Sequence, residues 1–296
     1  MHRWERKGKW QGKPYTAITT DFDGVGELAE FTADPAHKPY WYGGGHSGNS
    51  YMPECIMPEC IRMLRTGDNS LVEEAEKLLA VFATAGLLAP LTPTLTPSIV
   101  GDFPLVPAVL AGTPMTMLGR DTSEAMSERS PVNIMIDCGV MGNVSGGAMS
   151  QRGIALLVLV MALQTVRPVT LRLFDTMSWA GGHSWDTSRY VMWTVAVPTN
   201  PLHLAQLAWC LTSRGMACDL PFTHTNVVLK KPNVSGYGFA WRLNPADAEY
   251  EKQCREHWEL APTDLCFTGG SLEQGIEHDP MAWVQRQIDK LRLRNT

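Results

Sequence analysis

The sequence predicts an α/β protein whose most regular part is a three-layer core at residues 131–232. Three observations carry that expectation. A β-branched and apolar run, "PVNIMIDCG" (131–139), ends on an aspartate and a glycine; a Gly-rich stretch then leads into an apolar helix around 150–166; and β-type runs return at "PVTLRLFDT" (168–176) and "RYVMWTVAVP" (189–198). Strand, glycine loop, helix, strand is the order that a helix-covered sheet produces.

The helix contains "GIALLVLVMAL" (153–163), the longest apolar run in the chain. It is shorter than the roughly 20 residues that span a bilayer, so it reads as a buried helix of a protein with no membrane partner. "PLHLAQLAWCLTSRG" (201–215) has proline near its start and glycine at its end, as helices do. "CDLPFTHTNVVLKKP" (218–232), rich in Thr and Val, reads as one more strand.

Residues 1–130 read as an irregular N-terminal region. From 14 to 50 glycine, proline and aromatics predominate without helical period, which predicts loops and short strands. Within "SLVEEAEKLLAVFATAG" (70–86), Leu71, Ala75, Leu78, Leu79 and Phe82 share one helical face, behind the cap signal Asp68-Asn69-Ser70. "MPECIMPECI" (52–61) repeats once, too few copies for a solenoid. "PLTPTLTP" (90–97) and "GDFPLVPAVLAGTPMTML" (101–118) are too rich in proline for a long element. The C-terminal extension, 233–296, should hold two helices, at 245–260 and 279–295, the second with Met281, Val284, Ile288 and Leu291 on one stripe.

With 44% hydrophobic and 19% charged residues the composition is globular, and a net charge of −5 offers no global attraction for DNA or anionic lipid. The ends differ from the middle. "MHRWERKGKWQGK" (1–13) sets Arg3, Arg6, Lys7, Lys9 and Lys13 against Glu5, with Trp4 and Trp10 among them; Arg286, Lys290, Arg292 and Arg294 oppose Asp289 near the other end. The seven cysteines are odd in number and irregularly spaced, which implies no disulfide framework and suits a cytoplasmic setting. The charged start lacks the pattern of a secretory signal.

On this element order and its aspartate, the core resembles the von Willebrand factor A domain, a Rossmann-like fold whose first strand ends in Asp-x-Ser-x-Ser and binds a divalent cation there. The corresponding stretch is Asp137-Cys138-Gly139-Val140-Met141, in which Gly139 and Met141 replace both serines. The resemblance therefore implies a degenerate site at Asp137 without metal or other cofactor, since two hard oxygen ligands are missing. Residues 101–117 are similar to uncharacterised phage and plasmid proteins with such a domain. Some podoviruses use a single-stranded-DNA-binding accessory factor of about this size to bring their own RNA polymerase to promoters, and recruitment of a phage RNA polymerase in the host cytoplasm is the specific form of the binding expectation reached below.

Asn143, Ser145, Gly146 and Gly147 precede a helix start and could cradle an anion, but neither phosphate-loop pattern is present. Two Gly-Gly-His-Ser stretches place His46 and His183, with Asp186 nearby and Asp219 and His224 as further candidates; no ligand spacing accompanies them. No Gly-x-Ser-x-Gly elbow occurs, and Cys138 at a strand end is expected to be buried. Aromatics beside basic residues form the stacking platform and charged track that hold single strands. The expected nucleic-acid-binding set is Arg3, Trp4, Arg6, Lys7, Lys9, Trp10, Trp41, Trp185, Arg292 and Arg294. The leading expectation is thus a non-enzymatic single-stranded-DNA-binding protein, ahead of a metal-independent protein-interaction scaffold and a metal-dependent hydrolase.

Overall fold

A computed structural model describes residues 1–10, 13–37, 57–84, 95–98, 103–104, 109–110, 112, 114, 117–120, 131–139, 146–164, 168–178, 189–199, 201–213, 215–230, 248–268, 276 and 279–294. Its centre is a six-stranded sheet in the order β1-β2-β8-β7-β6-β9. The strands are β1 (His2–Trp10), β2 (Lys13–Phe22), β6 (Val132–Asp137), β7 (Val169–Ser178), β8 (Arg189–Val197) and β9 (Leu265–Phe267). β2 runs parallel to β8, and β6 runs parallel to both β7 and β9. The pairs β1/β2 and β7/β8 are antiparallel. β3 (Leu95–Ser98), β4 (Phe103–Pro104) and β5 (Met117–Arg120) form a small antiparallel sheet in the order β3-β5-β4, as short as the prolines there require.

Period-2 alternation assigns the two faces of the large sheet. Val132, Ile134 and Ile136 of β6, with Leu171 and Leu173 of β7 and Trp193 and Val195 of β8, join the main core with α4 (Gly146–Gln164). Met135 and Phe174 face the other way, onto Tyr250 and Cys254 of α7 (Ala248–His257). Helices cover both faces, so the core is layered helix, sheet, helix. The expected α/β class holds.

α4 is apolar all round because it is surrounded. Its residues from Arg152 to Leu163 are buried without interruption, and it packs on α3 (Val72–Thr84), α5 (Leu204–Thr212) and α8 (Pro280–Arg294). By length and hydropathy it could cross a membrane, yet here the apolar surface is taken up by the fold. α1 (Val25–Ala33) lies over the β2 and β8 end of the sheet on the same side, with α2 (Met57–Thr66) against it.

Two expectations need correction. The first concerns the irregular N-terminal region, set apart from the core. Its basic segment 1–13 supplies β1, which forms a hairpin with β2 in register from His2↔Asp21 to Trp10↔Lys13. Through β8 the hairpin extends the sheet of the 131–232 core, β2 itself falling where short strands were expected. Only two positions separate the paired ends, the shortest common hairpin connection. The second is the strand expected at 218–232. There the chain forms a π-helical turn (Gly215–Asp219) and α6 (Leu220–Leu229). Leu220, Thr223, His224 and Thr225 are all buried, and burial on nearly every side overrides the weak strand preference of Thr and Val.

α4 and α5 meet without room for a methyl group. A Cβ on Gly153 would lie 2.4 Å from Thr212 Cγ2 and 2.7 Å from the Leu211 carbonyl oxygen. Gly153→Ala is expected to cost about 1–3 kcal/mol through overpacking, despite the better helix propensity of alanine. Urea unfolding checks it; equal or greater stability in the variant would contradict this packing.

Candidate functional site

Strand alternation divides the N-terminal residues between two faces of β1. Trp4, Arg6 and Gly8 turn toward α7, while Arg3, Glu5, Lys7 and Lys9 lie on the opposite face and are exposed. The basic track and the ring expected to act together are thus separated by the thickness of one strand.

On the α7 side, Trp4 is held from three directions. Its indole N–H donates to Asp21 Oδ2 at 2.6 Å, a diagonal cross-strand contact, since Trp4 is paired with Thr19. Its ring stacks on His257, with centroids 5.1 Å apart and planes 14° from parallel, and meets Trp258 edge to face at 6.2 Å and 87°. Arg6 donates from Nη1 to the His257 carbonyl at 2.6 Å and lies 3.5 Å from Glu259.

α7 positions these partners by its own period. Tyr250, Cys254 and His257 fall at i, i+4 and i+7 and are buried, whereas Lys252 and Glu256 are exposed. The helix ends on Glu259, in the left-handed region at φ 53°, with the Leu260 N–H donating to the Arg255 carbonyl at 2.9 Å. Between this turn and β1 lies a groove of about 460 Å³ lined by Trp4, Glu5, Arg6, His257, Trp258 and Glu259.

A second polar cluster closes the carboxyl end of β6. The chain leaves β6 through α4 to β7 on one side and reaches β9 on the other, so Asp137 sits where the strand order reverses, the place where α/β sheets bind ligands. Asp137 Oδ1 accepts the Gly139 N–H and Oδ2 accepts the Tyr250 hydroxyl, each at 2.9 Å, and buried Arg152 donates to the Asp137 carbonyl at 3.1 Å. Both carboxylate oxygens thus hold the fold together. No group of three or more His, Cys, Asp or Glu suited to a metal occurs among the described residues. Cys138 is buried, and burial raises its thiol well above the ordinary range, followed by Cys210 and Asp137. That favours the inert thiol over a nucleophile.

Trp10 ends β1 opposite Lys13, and Arg292 and Arg294 lie in the last turn of α8; the side chains of all three fall outside the described residues, as do Trp41 and Trp185 entirely. Asn143, Ser145, His46, His183 and Asp186 lie outside them too, while Gly146 and Gly147 begin α4. His224 is not on a strand beside Asp219 but buried on α6, beside Phe22 at 6.0 Å and Phe31 at 5.7 Å. Sequence reasoning missed Asp21, His257, Trp258 and Glu259. The "HWE" stretch was visible, but nothing local joins it to Trp4, about 250 positions away.

The fold and its two clusters define an α/β protein with an open edge groove and a buried, internally satisfied aspartate. The chain belongs to the family described as "Domain of unknown function (DUF7192)", which matches residues 13–257, from the start of β2 to the end of α7. No curated protein and no solved structure matches it.

Two predictions arise from these clusters. Tyr250→Phe should destabilise the protein by about 1–3 kcal/mol, because a buried carboxylate oxygen loses its donor; an unchanged denaturation midpoint would contradict the assigned bond. The second concerns acid. Burial lowers His224 to about 3, with smaller effects from Arg3 and His37, and lowers His257 to about 4, assisted by Arg6. Both depressed values lie below the unfolded ~6.5, so the full stability is present above pH ~6.5. As pH falls from ~6.5 toward 4, the unfolded chain takes up two protons that the fold refuses, and stability should drop by about 3 kcal/mol per pH unit. His224→Phe should roughly halve that part of the slope in urea titrations. An unaltered slope would count against the buried neutral imidazole.

Proposed function

We propose that this protein is a non-enzymatic binder of single-stranded nucleic acid, DNA in the first instance. The observation that carries the reading is the edge of the sheet: Arg3, Lys7 and Lys9 are exposed along one face of β1, against Glu5 alone, and an aromatic groove opens beside the same strand. Sequence-tolerant single-strand binding uses a charged track together with rings, and here the open edge of β1 lies between the two. Unlike a disordered arm, β1 presents its cations at fixed spacing, because residues two apart on a strand stand about 7 Å from one another.

The unit β6-α4-β7, with Asp137 at the reversal of strand order, supports reading the core as von Willebrand A-like. Recruitment of a phage RNA polymerase is the specific form of this reading, taken from the similar size of the podoviral factor; no motif or geometry singles it out. A second reading, a protein-interaction scaffold, is favoured by one feature. Among the described residues no strand pairs with the outer edge of β1, and a peptide from a partner can add to such an edge.

Fluorescence anisotropy of a labelled single strand of about 20 nucleotides, at about 50 and 200 mM salt with a duplex control, tests the proposal. The single strand should bind better than the duplex and weaken steeply with salt. Replacing Arg3, Lys7 and Lys9 together by alanine should flatten the slope of log K against log salt by about 2, at roughly 0.7 per lost phosphate contact. No binding at either salt would overturn the reading and leave the scaffold ahead.

A further inference from the structure

We infer that the groove between β1 and the end of α7 receives one base of the bound strand, and that this base is guanine. The inference rests on the single-strand reading above and assigns a ligand to the aromatic groove. Its volume of about 460 Å³ lies within the range of small-ligand sites and exceeds what one base occupies.

Trp4 and Trp258 meet at 87°, so the groove has a corner made of two indoles. A flat ring can lie on one of them with its rim against the other, an arrangement that aromatic pairs favour. Trp4 is already fixed by Asp21 and by stacking on His257, so little side-chain freedom is lost when a base enters.

The polar lining excludes several other ligands. Arg6, the cation of the lining, already donates to the His257 carbonyl and lies 3.5 Å from Glu259, which disfavours a phosphate in the groove and leaves the backbone of the strand to the opposite face of β1. Arg6 lies in the same lining and disfavours a small organic cation. What fits is a neutral planar ring with paired acceptors and paired donors. Arg6 and Glu259, 3.5 Å apart, offer a two-pronged donor beside a two-pronged acceptor, and both remain accessible at 34% and 82% exposure. Guanine alone among the bases presents O6 and N7 side by side for a guanidinium and N1–H and N2–H₂ side by side for a carboxylate.

The test uses the full chain and labelled oligothymidylate bearing one central base: guanine, adenine or hypoxanthine, which lacks the N2 amine. The guanine strand should bind about tenfold more tightly than the adenine strand, with hypoxanthine between them. Glu259→Gln changes an exposed side chain; it should abolish the guanine preference, bringing the guanine and adenine strands to equal affinity. Equal affinity for all three strands, in a protein that does bind oligothymidylate, would overturn the guanine pocket while the single-strand reading stands. Guanosine monophosphate that binds by calorimetry and is lost in Glu259→Gln, with no oligothymidylate binding at all, would support the pocket and overturn the strand reading.

Discussion

The pairing of β1 with β2 is the constraint on which the site depends. Nine residues from His2 to Trp10 pair in register with Lys13 to Asp21, and a strand sends successive side chains to opposite faces. A shift of one residue would turn Trp4 to the other face of the sheet, away from His257, and Lys7 toward α7. The Trp4 bond to Asp21 and its stacking on His257 oppose that shift, because only one register satisfies them. The contact between strand and helix therefore fixes register as well as adding stability.

The interior supplies the platform behind that edge. α4 is enclosed by α3, α5 and α8 and packs under the sheet. Asp137, Arg152 and Tyr250 join β6, α4 and α7 through hydrogen bonds, and α7 in turn carries His257 to the groove. The same helix thus links the buried aspartate to the exposed edge. Buried polar links of this kind specify one arrangement of elements where apolar packing alone would tolerate several.

The parts of this fold legible in the sequence are those with strong local pattern: β6, α4, β7, β8 and α5, and the helices α3, α7 and α8. α6 was misread because Thr and Val favour strands, and a short run buried on nearly all sides has no period to separate helix from strand. β1 was misread for a different reason. An edge strand bearing Arg and Lys is how sheets avoid pairing with other chains, so the residues that guard the edge made the segment read as part of an irregular, basic N-terminal region. Trp4 was singled out for nucleic acid, and its role in holding β1 to α7 was not legible, since Asp21, His257 and Trp258 reach it only through the fold. Arg3, Lys7 and Lys9 are exposed, and their separation from the rings becomes visible only once the segment is a strand.

The central claim is that residues 2–10 are a formed strand before any ligand arrives. Amide hydrogen exchange of the protein alone tests it most directly, because amides paired with β2 exchange slowly and those on the open edge exchange fast. Alternating protection along β1, with the protected amides slowed together with those of β2, is the result this account predicts. Uniform exchange at the rate of an unfolded chain would contradict it.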